Sequence, residues 1–141
     1  MRYLLKQIKA TIVTAAPTLV GRIFMGAVPA NIKLSDTPNG PYCRVVFVGQ
    51  DDTQYAFNDT IGYDKTIVQF SVFAESLVAA DTLVDQLILG FNQVGLTLDV
   101  GNKAWGKKLK RGLVIEPKST DSNMVFHVWA TMEFFHEDQL V

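Results

Sequence analysis

The sequence has a single cysteine and two histidines among 141 residues, and this scarcity excludes several kinds of site. Cys43 has no second cysteine for a disulfide within the chain, and in the apolar run YCRVVFV it is expected to act as a small hydrophobic side chain. His127 and His136 do not match the spacing of helical or finger-type zinc ligands. We therefore expect no metal site, no cofactor and no enzymatic activity, and we give His127 a structural or interfacial role.

Charge is also scarce. Charged residues make up 19% of the chain and hydrophobic residues 48%, whereas a soluble domain carries about 25% charged residues. A net charge of -1 provides little electrostatic repulsion between copies of the protein. The surface is under-charged for a monomer, so we expect part of the apolar excess to be buried against other subunits.

Long apolar runs are absent from the sequence. The longest stretch without a charge covers residues 86–98 and contains Gly90 and Gly95, short of the ~18 apolar residues of a membrane helix. The first ten residues, MRYLLKQIKA, are interrupted by Lys6 and Lys9 and lack the hydrophobic region of a signal peptide. The sequence therefore predicts a protein that is made and folded in the cytoplasm without a membrane partner.

Hydrophobic spacing predicts a helix at the start of the chain and a second one after residue 76. The first helix, over about residues 2–15, places Leu4, Leu5, Ile8 and Ile12 on one face and ends before Pro17. In TIVQFSVFAESLVAADTLVDQLILGF, at 66–91, the apolar period changes from two residues to that of a helix without an intervening loop.

The strand that opens this stretch raises a question, because neither of its faces is fully polar. One face carries Val68, Phe70 and Val72, while the other carries apolar Ile67 and Phe73 beside polar positions. Further strands are predicted in YCRVVFVG, KKLKRGLVIE and NMVFHVWATMEFF. The order helix, strands, helix, strands favours a two-layer α+β fold, with both helices on one face of an antiparallel or mixed sheet.

We expect one domain over residues 1–141, with a long polar loop over 49–65 and a C-terminal tail over 136–141. The loop contains four acidic residues, and two of its aromatic residues stand among polar ones: Asp51, Asp52, Asp59 and Asp64, with Tyr55 and Phe57. The acids lack the spacing of a calcium loop, which favours a solvated loop over a metal site. The two aromatic side chains either attach the loop to its own domain or anchor it to a partner.

A second cluster, KAWGKKLKRG, contains five basic residues and no acid: Lys103, Lys107, Lys108, Lys110 and Arg111. Lysines of this kind protect a solvated edge strand from aggregation, but they could also face a DNA channel or an acidic neighbour. Regular alternation predicts that Lys107 and Arg111 share one face, and Lys108 and Lys110 the other. We favour contact with a neighbour's acidic loop, and assign Lys108, Lys110, Arg111, His127 and Trp129 to subunit or partner interfaces.

Three segments, taken in order, resemble the tail-completion or tail-terminator proteins of long-tailed bacteriophages, the group that includes the lambda-type tail terminator. They are RIFMGAVPANIKLSDTPNGPYCRVVF, TIVQFSVFAESLVAADTLVDQLILGF and MVFHVWATMEFF. The resemblance lies in pattern and runs from about Arg22 to Phe135. It comprises a proline and an aromatic residue before the first long strand, a strand that continues into a helix with paired alanines, and an apolar closing strand.

The resemblance implies a virion protein of the phage neck that assembles in the host cytoplasm. Such a protein commonly forms a hexameric ring that terminates the tail tube and joins it to the head. The implied partners are copies of the chain itself, the tail tube protein, the head-tail connector protein and the genomic DNA that passes through the ring. The alternatives are a head-side neck or stopper component and a nucleic-acid-binding module that uses residues 103–111. A small enzyme or ligand-binding domain is the least favoured alternative.

Overall fold

The structure is a computed structural model that describes residues 2–29, 40–53, 61–92, 95–97, 103–117 and 124–139. These residues form two helices, a short 3-10 turn at Pro17–Leu19 and six strands. The helices are α1 (Arg2–Ala15) and α2 (Leu77–Phe91). The strands are β1 (Ile23–Met25), β2 (Tyr42–Thr53), β3 (Ile61–Ala74), β4 (Gly95–Thr97), β5 (Lys103–Pro117) and β6 (Met124–Gln139).

The six strands form one sheet in the order β1-β2-β3-β6-β5-β4. The pairs β2–β3, β3–β6, β6–β5 and β5–β4 are antiparallel, while β1 runs parallel to β2, so the sheet is mixed. The predicted α+β domain is confirmed. β3 and β6, which lie at the centre of the sheet, are also among its longest strands.

One face of the sheet forms the hydrophobic core with both helices. Alternate positions of β3 and β6 are buried on this side, as the two-residue period of a strand requires. Three aromatic rings meet at the centre: Phe70 lies 5.0 Å from Phe91 and 6.2 Å from Phe134, centroid to centroid, and Phe91 lies 5.4 Å from Phe134. Leu4, Ile8 and Ile12 of α1 belong to the same core. Both amphipathic helices are therefore stabilised mainly by burying their apolar sides in the core on one face of the sheet.

The abrupt change from strand to helix depends on Ser76. Its backbone is extended, and its hydroxyl accepts a hydrogen bond from the Ala79 backbone N–H at 3.4 Å. A serine N-cap of this kind satisfies one of the amide groups that the first helical turn leaves unpaired. β3 can therefore end at Ala74 and α2 begin at Leu77 without a loop, as the change in period predicts.

The prediction of a loop over residues 49–65 is wrong at both ends of this range, where the residues form paired strands. β2 continues to Thr53 and β3 begins at Ile61, with Asp51 opposite Lys65 and Asp52 opposite Asp64. The prediction treated a polar composition as a sign of loop structure. Backbone hydrogen bonds do not require apolar side chains, and a ladder already in register can continue through polar residues. Tyr55, Phe57 and Asp59 lie outside the described residues.

The expected C-terminal tail is wrong in the same way over residues 136–139, because β6 continues to Gln139. His136 lies opposite Asp64 and Gln139 lies opposite Ile61, so these residues extend the central β3–β6 pair. The paired ends of β2, β3 and β6 thus form a three-stranded continuation of the sheet. Residues 140–141 lie outside the described part of the chain.

Candidate interaction surface

The face of the sheet opposite the helices is the candidate interaction surface, and we call it the helix-free face. Neither α1 nor α2 packs on it, and no other α-helix occurs among the described residues. Cross-strand partners share a face, so the register identifies its members. The rows that carry it, from β2 through β3 and β6 to β5, are Tyr42–Phe73–His127–Val114, Arg44–Ser71–Trp129–Gly112, Val46–Gln69–Thr131–Lys110 and Gly49–Ile67–Glu133–Lys107.

An aromatic row crosses this face at one end of the sheet. Phe24 meets Tyr42 edge-on at 6.1 Å between centroids, Tyr42 stacks on Phe73 at 4.9 Å, and Phe73 stacks on His127 at 4.2 Å. Each aromatic pair of this geometry adds about 0.5–1.5 kcal/mol to the burial of its area. His127 therefore has a packing role in the subunit, and its predicted interfacial role stays a prediction.

Trp129, in the next row, lies flat against Gly112 of β5. A Cβ at Gly112 would collide with the indole, coming within 2.8 Å of its Nε1 and closer still to two ring carbons. Glycine is therefore required at this position for the ring to lie over β5 as it does. Trp129 is half-buried, which leaves part of the indole available to a partner. Tryptophan is enriched among the residues that dominate binding energy at interfaces.

Among the described side chains of the helix-free face, most charges are positive, although Asp51, Glu116 and Glu137 also occupy positions of this face. Exposed Arg44, Lys65, Lys107 and Lys110 lie on it, whereas Glu133 is the one half-buried carboxylate among its described side chains. Exposed Trp105 and Val114 lie on the same face of β5, on either side of the two lysines. Aromatic residues are enriched at protein interfaces whereas lysine is depleted there, so it is the aromatic area that marks this face as a candidate interface.

The prediction of which basic residues share a face of β5 is wrong, because β5 contains a β-bulge. The register shifts between Lys108 and Lys110, so that Lys108 lies opposite Met132 and Arg111 opposite Ala130, on the helix-covered side. Lys107 and Lys110 lie on the helix-free face. The extra residue, Leu109, breaks the regular alternation on which the prediction rested.

Arg111 binds acids of its own subunit. Its guanidinium forms ion pairs with Asp81 and Asp85, which lie one turn apart on α2, and donates a further hydrogen bond to the Asp81 carbonyl at 3.2 Å. The hydrogen bond to Asp85 and the charge of both carboxylates raise the pKa of Arg111, so it stays cationic. No local sequence pattern indicated this intramolecular role. A partly exposed pair of this kind contributes about 0.2–1 kcal/mol.

Lys108 is attached to the end of α2 through its backbone. Its N–H donates to Asn92 Oδ1 at 2.9 Å, and Asn92 itself caps the helix by donating its N–H to the Ile88 carbonyl at 2.7 Å. Two residues before Lys108, β5 approaches the end of α2 so closely that a Cβ at Gly106 would lie 2.5 Å from the Phe91 carbonyl oxygen. The basic segment thus holds the C-terminus of α2, and only part of it faces away from the helices.

The acidic and basic clusters are not neighbours within one subunit. Asp51 and Asp52 lie at the paired end of β2, and Asp64 lies at the paired end of β3. In the sheet, β6 lies between β3 and β5, and both β3 and β6 lie between β2 and β5. The predicted contact between the two clusters would therefore have to join different copies of the chain.

Neither a metal-binding cluster nor a membrane-spanning helix occurs among the described residues. In the ranges that the structure covers, no three His, Cys, Asp or Glu residues are grouped so that they could hold a metal ion. Neither described helix has the length and hydrophobicity to cross a bilayer. Cys43 is fully buried, as expected, and burial raises the pKa of its thiol to about 12, which disfavours the nucleophilic thiolate.

A second exposed apolar surface, which was not predicted from the sequence, lies on α2. Val78 and Leu89 are 74% and 79% exposed, although both lie in a helix whose other side forms the core. The signal was present in the sequence, because the two side chains lie outside the apolar face formed by Ala80, Leu83 and Leu87. With Asp81 and Asp85 they form the α2 stripe, four residues on one side of the helix.

Comparison with known proteins shows a shared fold. No protein-family model matches the chain, and no curated protein matches it significantly. Among solved structures, 32 chains match. One belongs to a structure described as "Virion of native gene transfer agent (GTA) particle", with a TM-score of 0.62, 12% sequence identity and coverage of 96% of both chains. At this identity the likeness concerns the fold, and it extends over nearly the whole length of each chain.

Proposed function

We propose that the protein is a structural component of a phage-like virion and forms a ring in its neck, most simply of six subunits. The ring would terminate the tail tube, join it to the head connector, and let genomic DNA pass through its centre. The observation that carries the proposal is the fold shared, over 96% of both chains, with a protein of a gene transfer agent virion. The sequence pattern from Arg22 to Phe135 points independently to the neck.

The surface of the subunit supports a role in assembly. The helix-free face exposes aromatic area that a soluble monomer would normally cover, and the α2 stripe exposes two more large apolar side chains. With only 19% charged residues, the chain has few groups to keep such surfaces apart in solution. Burial between subunits in a ring accounts for both surfaces. It also answers why the second face of β3 is not polar.

Assembly of particles in the absence of this protein is an experiment that tests the proposed function. We expect heads and tail tubes to form but to remain unjoined, and purified protein added to the mixture to restore joined particles. The matched control is addition of a variant with an altered helix-free face, such as Lys110→Glu, which should not restore joining. Normal joined particles in the absence of the protein would contradict a neck role. Heads that leak packaged DNA while tails remain capped would favour the head-side alternative.

A nucleic-acid-binding role is the second candidate, and exposed Lys107, Lys110 and Trp105 favour it. The β5 bulge weakens it, because Lys108 and Arg111 face the other side. Two phosphate contacts predict a slope of about -2 for log K against log salt, since each contributes about -0.9. Titration of duplex DNA with the isolated subunit at several salt concentrations measures this slope. A much steeper slope would favour a dedicated DNA-binding function over the ring.

A further inference from the structure

The α2 stripe presents acidic groups between two apolar ends. Val78 and Leu89 are separated by three helical turns, and Asp81 and Asp85 lie between them on the same side. The two carboxylate side chains remain 53% and 57% exposed although they pair with Arg111. Since α2 contains no lysine or arginine, the one guanidinium leaves this surface net negative.

The helix-free face presents the opposite charge in a similar arrangement. Lys107 and Lys110 are exposed on β5 between Trp105 and Val114, which are 41% and 40% exposed. The order along β5 is thus apolar, cationic, apolar, whereas along the α2 stripe it is apolar, anionic, apolar. Complementary charge of this kind steers two surfaces together and sets their register more than it adds affinity.

The dimensions of the two surfaces allow the helix to lie on the sheet. From Val78 to Leu89 the stripe spans eleven residues, about 16 Å at ~1.5 Å per residue. Asp81 and Asp85 are about 6 Å apart along the helix axis at ~1.5 Å per residue. Lys107 and Lys110, which the bulge leaves two ladder positions apart, are about 7 Å apart along β5 at ~3.4 Å per position. A helix lying along β5 would therefore bring its two carboxylates opposite the two lysines, and it would repeat on the uncovered side of the sheet the kind of helix-on-sheet packing that α2 makes on the covered side.

The two surfaces lie on opposite sides of the subunit. α2 packs its buried side on the sheet, so its stripe faces outward, while the helix-free face lies on the far side of that sheet. No subunit can therefore join its own two surfaces. A contact between them is heterologous, and repeated contacts of this kind close into a ring when the rotation between subunits permits.

We propose that the α2 stripe of one copy of the chain docks on the helix-free face of the next copy. The occupant of the face is thus a second copy of this chain, oriented front to back. The inference deepens the proposed ring and rests on it for the closed assembly, but the pairwise contact stands on the two surfaces alone. Val78 and Leu89 lie against aromatic area, and the carboxylates of Asp81 and Asp85 face Lys107 and Lys110.

Single-cysteine cross-linking tests the contact, because the native Cys43 is buried and unreactive. Val78→Cys protein is mixed with Lys110→Cys protein and treated with a short bis-maleimide reagent. The matched control replaces Val78→Cys by Lys9→Cys, which puts the thiol on exposed α1 in the same helix layer but outside the stripe. We expect the stripe-to-face pair to cross-link about tenfold faster than the control, because docking raises the local concentration of one thiol around the other.

The double variant Val78→Cys/Lys110→Cys carries one thiol on each surface, so treatment of assembled particles should give a ladder of covalent products that ends at the ring size. If particles gave this ladder but the protein was not at the neck, the docking would be supported and the proposed neck function would be rejected. A neck ring without cross-links would reject the docking and retain the function. Equal cross-linking of the Lys9→Cys control, or preferential Val78-to-Val78 products in the single variant, would overturn the front-to-back contact.

Discussion

The indole of Trp129 occupies the space where a side chain at Gly112 would lie, on the strand beside it. The two residues are directly paired between β5 and β6, at a position that faces away from both helices. A large aromatic ring is thereby held flat on the sheet, half-buried by its own subunit. The face on which it lies is the surface that we assign to assembly.

Gly112→Ala should destabilise the subunit by about 1–3 kcal/mol, because the added methyl group forces the Trp129 ring from its position. Urea denaturation measures the free energy of unfolding. Gly49→Ala is the matched control, since a Cβ at Gly49 meets nothing within 4 Å, and it should change stability by no more than about 0.5 kcal/mol. Equal stability of the two variants would mean that Trp129 does not lie on Gly112.

Arg111→Ala should reduce stability by about 1 kcal/mol, because it removes both ion pairs with α2 and leaves two neighbouring carboxylates unscreened. Lys110→Ala, one residue away on the other face, should be nearly neutral. Thermal unfolding at low and at high salt measures the difference, which should shrink as salt rises. A loss for Arg111→Ala no larger than that for Lys110→Ala would rule out the pairing across α2.

Cys43 should make stability depend on alkaline pH. Burial raises the pKa of its thiol from 9.0 to about 12, so between these values the unfolded chain loses a proton that the folded chain keeps. The contribution of the thiol to stability is fully present below pH 9 and falls by about 1.4 kcal/mol per pH unit above it.

Because lysine and tyrosine side chains also titrate in this range, the comparison is with Cys43→Ala. Its free energy of unfolding, measured by denaturant at several pH values from 8 upward, should lack this component. The difference between the two proteins should therefore change steadily above pH 9. A pH-independent difference would indicate a thiol that is accessible to solvent in the folded state.

Charge reversal should separate the lysines that the β5 bulge places on different faces. Lys110→Glu, whose cross-strand partner is Thr131, alters the helix-free face and should impair assembly while leaving the stability of the subunit within about 0.5 kcal/mol. Lys108→Glu, on the helix-covered side, should leave assembly intact. Joining of heads and tails by added protein provides the readout. Equal impairment by both variants would argue for a diffuse electrostatic effect rather than a defined surface.

Local signals in the sequence predicted most of the elements, and contacts between distant residues account for what was missed. The helix after Ser76 was predictable because its apolar spacing and its N-cap lie within one segment. The bulge at Leu109 was not, because β6 decides where the ladder shifts. The pairing of Arg111 with Asp81 joins residues 30 positions apart, and no local pattern indicates it.

The candidate surface was predictable only in part. Trp129 and Lys110 were assigned to an interface from sequence, and the structure brings them onto one face. Asp51, Asp52 and Asp64 were expected in a loop, but the polar strand ends follow a register set by their neighbours. Whether they contact another copy stays a prediction. Val78 and Leu89 were not predicted as a surface, because they lie on the outer side of α2, away from the apolar face that identifies the helix.

A cryo-electron microscopy reconstruction of the particle neck tests the central claim most directly. The account predicts a closed ring of this chain, most simply with six copies, between the tail tube and the head connector. In that ring the α2 of each subunit should lie across Trp129 and Lys110 of the next. Density for the chain elsewhere in the particle, or its absence from the particle, would contradict the neck assignment.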